Sequence, residues 1–225
     1  MVSKKINVAI IDYKMGNMFS VQSACNYVGL NPIITNDKHQ ILNSDAVILP
    51  GVGAFAEAMH HIKELNLTSV IKKFIETNKP FVGVCLGMQL LFTESEEFSN
   101  TKGLNLIPGK IKKFCKQNPN GKKIKTPQIG WNQISKTTET QKGTWAQYPL
   151  NDIQNKEYMY FVHSFYADPE NENVILTKTN YEGIEYCSSI IYKNIFACQF
   201  HPEKSAREGL KIYKNLATSL ENQTN

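Results

Sequence analysis

Residues 80–89 read PFVGVCLGMQ, and this stretch decides the fold that the sequence predicts. The apolar run before Cys85 is typical of a buried strand, and the residues after it are typical of the start of a helix. A nucleophile between Gly83 and Gly87 at such a strand-to-helix turn forms an elbow, here with cysteine in place of serine. The thiol would lie at a helix N-terminus, where the helix dipole and free N–H groups favour the reactive thiolate. The stretch therefore predicts an α/β fold with Cys85 as a nucleophile.

A second motif, HPE at residues 201–203, follows the apolar run of residues 195–200. That run predicts a strand, which places His201 at a strand end and Glu203 two residues further on. A cysteine paired with a histidine attacks carbonyl groups, and a carboxylate orients the imidazole. A lone cysteine after a strand is more often a core residue, and HPE alone is a common turn. Their combination in this order favours a Cys85–His201–Glu203 triad.

A glycine loop, PGVG at residues 50–53, follows the predicted strand of residues 46–49. Attack on a carbonyl creates an oxyanion that needs N–H donors. The backbone N–H of Leu86 is the first candidate because it follows the nucleophile, and the glycine loop would supply the second. Loss of one such donor costs about 3–4 kcal/mol, so the conformation of this loop could switch the activity on and off.

The order of predicted elements indicates the architecture. Strands at residues 5–12, 32–35 and 46–49 alternate with helices, one of them capped by Asn17, which predicts a parallel sheet covered on both faces. The second half contains strand-like segments with short turns and a polar loop at residues 137–141, and a helix at residues 206–220 ends the pattern. The segments are residues 109–114, 158–166, 173–179, 184–192 and 194–200. We predict a three-layer α/β/α sandwich, mainly parallel with antiparallel strands in the C-terminal half, forming one domain over residues 1–225.

Composition excludes several classes of protein. The chain is 41% hydrophobic and 20% charged, which argues against disorder, and its net charge of +5 comes without the aromatic-basic motifs of nucleic-acid binding. No apolar run approaches the length of a membrane span, and no signal peptide is evident. The five cysteines include no CxxC pair, so we expect a reducing, cytoplasmic location. No spacing predicts a metal site or a cofactor, and His163 is expected to be a hydrogen-bonded strand residue.

Several stretches together resemble the class I glutamine amidotransferases, and within them the glutaminase subunits of imidazole glycerol phosphate synthase. The elbow and the HPE motif alone indicate only the superfamily, whereas PGVGAF, GWN and HPEKS indicate this branch. The shared stretches run through nearly the whole chain in family order: residues 11–17, 49–55, 83–92, 130–132, 161–164 and 199–205.

The resemblance implies that L-glutamine is hydrolysed to glutamate and ammonia. Cys85 would be the nucleophile, His201 the base and acid, and Glu203 the residue that orients His201. The Val52 peptide would have to reorient on activation to donate to the oxyanion. The positions that match residues holding the substrate or the oxyanion are Val52, Gly53, Leu86, Gln89, Ser164 and Phe165.

The resemblance also implies a partner. Ammonia would pass through a channel into a separate (β/α)₈ cyclase subunit of a heterodimer. The cyclase would make imidazole glycerol phosphate and an aminoimidazole carboxamide ribotide in histidine biosynthesis. Met15, Asn17, Trp131 and Lys204 match residues near that interface. Lys14 stands where the family usually has glycine, and Gln128 where it usually has histidine; both are predicted to lie on the partner face.

Three other functions remain open from the sequence. Paralogues of this subunit supply ammonia to a sugar amidotransferase in surface-polysaccharide or flagellin glycan synthesis. A stand-alone cysteine hydrolase on a related fold would need no partner and no ammonia channel. A non-catalytic binding subunit is disfavoured because Cys85, His201 and Glu203 are all present.

Overall fold

A computed structural model describes residues 5–98, 100–118, 120–137 and 149–224, so the loop predicted at residues 137–141 lies almost wholly outside the described residues. The helices are α1 (Met18–Tyr27), α2 (Lys38–Asn43), α3 (Phe55–Glu64), α4 (Thr68–Glu76), α5 (Leu86–Gln89) and α6 (Ala206–Thr224). The strands are β1 (Asn7–Ile11), β2 (Asn31–Thr35), β3 (Ala46–Leu49), β4 (Phe81–Val84), β5 (Phe92–Ser95), β6 (Thr101–Lys102), β7 (Ile107–Lys113), β8 (Gln128–Lys136), β9 (Glu157–His163), β10 (Phe165–Pro169), β11 (Ile175–Tyr181), β12 (Ile184–Tyr192) and β13 (Ile195–Cys198).

One half of the sheet is parallel, in the order β2-β1-β3-β4-β13. Its parallel arrangement was predicted for β1 to β4, whereas the strand at residues 194–200 was expected among the antiparallel strands and is instead parallel to β4. The central strands β3, β4 and β13 are buried along their whole length because both faces are covered, whereas the edge strand β2 is mostly half-buried. In β1, Val8 and Ile10 point into one hydrophobic core, and Ala9 and Ile11 point into the other. This alternation follows from the two-residue period of a strand, and β1, β3, β4 and β13 each contribute to both cores.

The helices form the two outer layers. Helices α2, α3 and α4 cover one face of the sheet, and α1 and α6 cover the other. Helix α4 buries Val70, Ile71, Phe74 and Ile75, a spacing that places all of them on one side of a helix. Asn17 caps α1 as predicted, since its side chain accepts a hydrogen bond from the Ser20 N–H at 3.4 Å. The predicted α/β/α sandwich is confirmed.

The second half of the sheet is largely antiparallel, and here the sequence-based boundaries need correction. The predicted single strand at residues 158–166 is two strands, β9 and β10, separated by Ser164. Strand β9 pairs with β8, whereas β10 pairs with β7 and β12, so the chain changes sheet partners at this residue. Strand β8 was not predicted because only Gln128 and Ile134 are buried in it, and it therefore contains no apolar run.

The topology brings the predicted motifs together at the carboxyl ends of the central parallel strands. Strands β4 and β13 are parallel neighbours in which Val84 pairs with Cys198, so Cys85 and residues 199–203 leave the same end of the sheet. Strand β3 lies on the other side of β4, so the glycine loop that follows Leu49 leaves there too. Open α/β sheets bind ligands beyond the carboxyl ends of such strands, so a site is expected at this end of the sheet.

Candidate active site

The elbow is formed at Cys85, whose backbone has φ 54° and ψ −111°. Its N–H donates to the Cys198 carbonyl at 2.8 Å, which ties the turn to β13. Gly87 packs so closely on β3 that an added Cβ would collide with the Leu49 carbonyl, so only glycine fits. Helix α5 has only four residues, fewer than the sequence suggested, because the chain enters β5 at Phe92. The dipole of one helical turn gives the thiolate less support than predicted.

His201 and Glu203 form the second part of the site. Nδ1 of His201 lies 2.8 Å from Oε1 of Glu203, and each side chain is only 2% exposed. An ionised carboxylate only accepts hydrogen bonds, so Nδ1 carries the proton that it donates. The other ring nitrogen, Nε2, is buried and has no hydrogen-bond partner among the described residues. It is nevertheless close enough to Cys85 for the two groups to interact electrostatically.

The charge of this pair is fixed by its surroundings. Burial of the ring would lower the pKa of His201, but the negative charges of Cys85 and Glu203 outweigh burial and raise the pKa to about 10. The ring is therefore protonated near neutral pH when the sulfur is a thiolate. By contrast, burial raises the pKa values of the Cys25, Cys187 and Cys198 thiols, that of Cys25 to about 12. Buried thiols whose pKa is raised in this way are poor nucleophiles, which sets them apart from Cys85 in its cavity.

The glycine loop lies over the elbow, and one of its carbonyl groups occupies the position expected for the oxyanion. The Leu86 N–H donates to the Gly51 carbonyl at 3.3 Å. Because a trans peptide is planar with its C=O and N–H opposed, the Val52 N–H points away from Leu86. An added Cβ at Gly51 would collide with the Tyr13 hydroxyl, which itself donates to the Pro50 carbonyl at 2.7 Å. The loop is therefore fixed at Pro50, and the carbonyl of its next peptide faces the site.

A cavity of about 350 Å³ opens beside Cys85, a volume that suits a small ligand. Besides Cys85, it is lined by all six residues predicted to hold substrate or oxyanion, namely Val52, Gly53, Leu86, Gln89, Ser164 and Phe165. Its wall also contains residues that the sequence did not single out for this role: Glu97, Pro127, Val162 and His163.

Two of these additional wall residues are firmly held. Oε2 of Glu97 accepts a hydrogen bond from the Phe55 N–H at 2.6 Å, which caps the start of α3. His163 lies 2.9 Å from the Phe165 carbonyl through Nδ1 and 3.2 Å from the Tyr186 hydroxyl through Nε2. Burial lowers the pKa of His163 to about 4, so the ring is neutral at pH 7. The prediction of a hydrogen-bonded strand histidine is confirmed, although the residue also faces the cavity.

A chain of buried amides connects the cavity wall to the nucleophile. Nε2 of Gln89 donates both to the Phe165 carbonyl and to Oε1 of Gln199, each at 2.9 Å. Nε2 of Gln199 in turn donates to Sγ of Cys85 at 3.6 Å. The sequence placed Gln199 within the shared stretch of residues 199–205 and predicted no role for it. Its position before the HPE motif is a signal for proximity to the site, but not for contact with the sulfur.

The residues predicted to lie on a partner face differ in how exposed they are. Trp131 is 52% exposed, and Lys204 is also exposed. Met15 and Asn17 are partly buried, and Met15 packs against Gly53 of the glycine loop. Gln128 is a correction: it is 2% exposed, and its Oε1 lies 2.9 Å from the Tyr186 hydroxyl. In β8 its side chain alternates to the inner face, so Gln128 belongs to the core behind His163 rather than to an outer surface.

Lys14, the other departure from the family pattern, does lie at the surface. Its backbone φ is 68°, in the left-handed region that glycine adopts without steric cost. Lysine therefore preserves the turn at a cost of roughly 1–2 kcal/mol. Its Nζ lies 3.1 Å from Oε2 of Glu64 on α3 in an exposed ion pair.

Metal-binding clusters and membrane-spanning helices are both absent from the described part of the chain. Within residues 5–98, 100–118, 120–137 and 149–224, no group of three or more His, Cys, Asp or Glu side chains is arranged to hold a metal ion. None of the helices in those ranges combines the length and apolarity needed to cross a membrane.

Comparison with solved structures supports the fold. The glutaminase domain of Trypanosoma brucei CTPS with bound acivicin superimposes with a TM-score of 0.67 and 15% identity, covering 97% of this chain and 94% of that one. The structure of PurLQS from Thermotoga maritima gives a TM-score of 0.66 and 18% identity, covering 98% and 100%. At these identities the likeness concerns the fold alone.

Comparison of sequences places the chain more narrowly. Residues 9–219 match the family model described as glutamine amidotransferase class-I. The chain is 42% identical over 213 residues to the imidazole glycerol phosphate synthase subunit HisH of Geobacter metallireducens, covering 94% of this chain and 98% of that protein. It is 41% identical over 220 residues to the HisH subunit of Aquifex aeolicus, covering 97% and 100%. With its elbow, its His–Glu pair and its sheet all in place, the chain belongs to the class-I glutamine amidotransferases, in the branch of the HisH subunits of imidazole glycerol phosphate synthase.

Proposed function

We infer that this protein is the glutaminase subunit of an imidazole glycerol phosphate synthase and supplies ammonia for histidine biosynthesis. The observation that carries this function is the cavity beside Cys85, whose walls contain every residue predicted to hold glutamine. A buried His201–Glu203 pair stands next to the same sulfur. The site thus joins a nucleophile, a proton carrier and a pocket of suitable size.

The reaction follows from the charges of this site. The Cys85 thiolate adds to the carbonyl carbon of the glutamine side-chain amide. His201 then donates its Nε2 proton to the amide nitrogen, the C–N bond breaks, and ammonia leaves a thioester on Cys85. A water that loses a proton to Nε2 attacks this thioester, the C–S bond breaks, and glutamate departs with the thiolate restored. Glu203 keeps Nδ1 protonated throughout, which directs Nε2 to the reacting atoms.

Substrate binding is proposed for the groups that face the cavity. The Glu97 carboxylate offers a negative charge to the α-ammonium group of glutamine, and its attachment to the Phe55 N–H holds it in place. The backbone of Ser164 and Phe165 forms the opposite wall. Gln89 supports this wall through the Phe165 carbonyl. The pocket therefore has a charged end and an end with Cys85.

The glycine loop makes the activity conditional. With the Gly51 carbonyl on the Leu86 N–H, an oxyanion would meet a carbonyl oxygen instead of a second donor. We propose that the Gly51–Val52 peptide rotates by about half a turn on activation, which releases Leu86 and turns the Val52 N–H inward. Met15 packs on Gly53, so the proposed partner face touches this loop directly.

The partner that we propose is a separate (β/α)₈ cyclase subunit, in a cytoplasmic heterodimer. Strands β8 and β9 present an apolar outer face with Ile129, Trp131 and Tyr158, which are 62%, 52% and 51% exposed. Exposed aromatic groups of this kind anchor protein interfaces. Val52 of the glycine loop is also 39% exposed. A subunit that covers both surfaces would act on the loop and receive the ammonia.

The experiment that tests this function uses Cys85→Ala together with the cyclase subunit. We expect the complex with this variant to lose glutamine-dependent synthesis by many orders of magnitude, because the nucleophile is absent, and to retain synthesis from added ammonia. Glutamine-dependent synthesis in the variant would refute the nucleophile. If the unaltered chain hydrolyses glutamine only with a sugar amidotransferase, the histidine assignment fails; rapid turnover without any partner would identify a stand-alone hydrolase.

A further inference from the structure

Gln199 is a fully buried side chain next to the nucleophile that no step of the mechanism above uses. It is 0% exposed and lies between the end of β13 and His201. Its backbone N–H donates to the Ser188 carbonyl at 2.9 Å, so the main chain is held by β12. Its side chain reaches the sulfur of Cys85, with Nε2 3.6 Å from Sγ.

The orientation of the Gln199 amide is fixed by its neighbours. The Phe165 carbonyl can only accept a hydrogen bond, so the atom of Gln89 that lies 2.9 Å from it is the amide nitrogen. That same nitrogen lies 2.9 Å from Gln199, so the Gln199 atom facing it is the oxygen. The nitrogen of Gln199 therefore faces Cys85, and rotating this amide by half a turn would set two donors against each other.

The contacts around the sulfur respond differently to its two protonation states. The Val162 carbonyl, 3.9 Å from Sγ, accepts from the thiol and repels a thiolate. The N–H of Gln199 has the opposite preference, because a donor binds an anionic sulfur more strongly than a neutral one. Helix α5 is only one turn long and contributes little dipole. The balance between the thiol and the thiolate of Cys85 thus depends on His201 and on the Gln199 amide.

We propose that Gln199 is a further catalytic residue, whose amide N–H donates to the Cys85 thiolate and holds the sulfur in line with the cavity. This assignment rests on the proposed glutaminase function and adds a group to it. The hydrogen bond from Gln89 fixes the orientation of the Gln199 amide, and Gln89 also donates to the Phe165 carbonyl in the cavity wall. The orientation of Gln199 is therefore tied to the structure of the pocket. The strength of the hydrogen bond falls once the sulfur becomes a neutral thioester, so its main effect is on the thiolate before attack.

The test measures how the alkylation of Cys85 by iodoacetamide depends on pH, without glutamine. All variants carry Cys115→Ser, because Cys115 is an exposed free thiol that would also react. Gln199→Met keeps the length of the side chain and removes the N–H. Loss of a hydrogen bond to a charged group predicts a rise of about one pH unit in the inflection of the alkylation profile. Below the inflection, alkylation should be roughly three- to fourfold slower, because the tenfold loss of thiolate is partly offset by the greater nucleophilicity of a more basic sulfur. Above the shifted inflection the variant should react at least as fast as the parent, because a more basic thiolate is the stronger nucleophile.

The matched control is Gln128→Met, which alters a second buried glutamine that contacts Tyr186 and not the sulfur. Its alkylation profile should match that of the parent. Gln199→Asn is a second variant that keeps a polar amide but withdraws it from Sγ, and it should shift the inflection in the same direction. Thermal unfolding identifies any variant that does not fold.

An unshifted inflection in both folded Gln199 variants would overturn the proposal and leave Gln199 a packing residue. Uniformly slower glutamine turnover at every pH, with an unchanged alkylation profile, would do the same. Because alkylation does not use glutamine, its outcome is independent of the proposed function. A parent protein that alkylates normally but does not hydrolyse glutamine with any partner would refute the function while leaving the hydrogen bond from Gln199 to the Cys85 thiolate intact.

Discussion

The segment of residues 199–203 and the glycine loop of residues 50–53 meet at Cys85, and only the first is arranged for catalysis. On one side, His201 is hydrogen-bonded to Glu203 at 2.8 Å and Gln199 contacts the sulfur at 3.6 Å. On the other side, the glycine loop sets the Gly51 carbonyl on the Leu86 N–H at 3.3 Å, where the oxyanion would develop. The nucleophile and its proton carrier are assembled, whereas the group that should stabilise the transition state is turned away.

The difference between them has a physical origin. The triad side is set by two adjacent parallel strands and by buried polar contacts, each costly to break. The glycine loop is held at Pro50 through Tyr13, but its next peptide is bordered by glycine on one side and by the exposed Val52 on the other. Glycine accepts a wide range of backbone angles, so this peptide can rotate without moving the rest of the loop. Regulation by a partner is expected to act on that peptide.

The largest effect is expected at the triad. Glu203→Gln removes the carboxylate that keeps Nδ1 of His201 protonated and that helps to raise the pKa of His201. By analogy with other triads, partner-stimulated glutamine hydrolysis should fall on the order of 10⁴-fold. The matched control is Glu208→Gln, which lies on α6 in a partly exposed pair with Lys211. Activity above a tenth of normal in the first variant would show that Glu203 is not needed to orient the ring.

A smaller effect is expected at the glycine loop. Val52→Pro removes the N–H that the rotated peptide would donate, so turnover with the partner should fall by about 10²–10³-fold. Val52→Ala keeps the N–H and should lose much less. Alkylation of Cys85 should be the same in both variants, because the thiolate does not depend on this donor. Full activity in Val52→Pro would place the second oxyanion donor elsewhere.

The sequence predicted the elbow well because its determinants are local. An apolar strand, a cysteine and the close-packed Gly87 lie within a few residues of one another. The meeting of Cys85 with His201 was also predicted, from the chemistry of the two motifs, but the parallel pairing of β4 with β13 that brings them together was not. The mixed sheet could be inferred from alternating elements, but β8 could not, because most of its side chains are exposed or half-buried.

Other features of the site depend on long-range contacts and could not be predicted from the sequence. Gln199 meets Gln89 and Cys85 from 110 and 114 residues away along the chain, and no local pattern encodes those contacts. Gln128 was predicted to face a partner but is buried, because its place in β8 decides which way it points. The direction of the Gly51 carbonyl has no signature in residue types. The extent of a single domain over residues 1–225 stays a prediction.

The most direct test compares two rates in the same protein, with and without the cyclase subunit, in a Cys115→Ser background. One is the turnover of glutamine, and the other is the alkylation of Cys85 by iodoacetamide, which needs a thiolate but no oxyanion donors. If the triad is assembled and only the Gly51–Val52 peptide must rotate, the partner should raise turnover by about 10²-fold or more and leave the alkylation rate unchanged. Parallel increases in both rates would contradict this, because they would show that the partner activates the nucleophile itself.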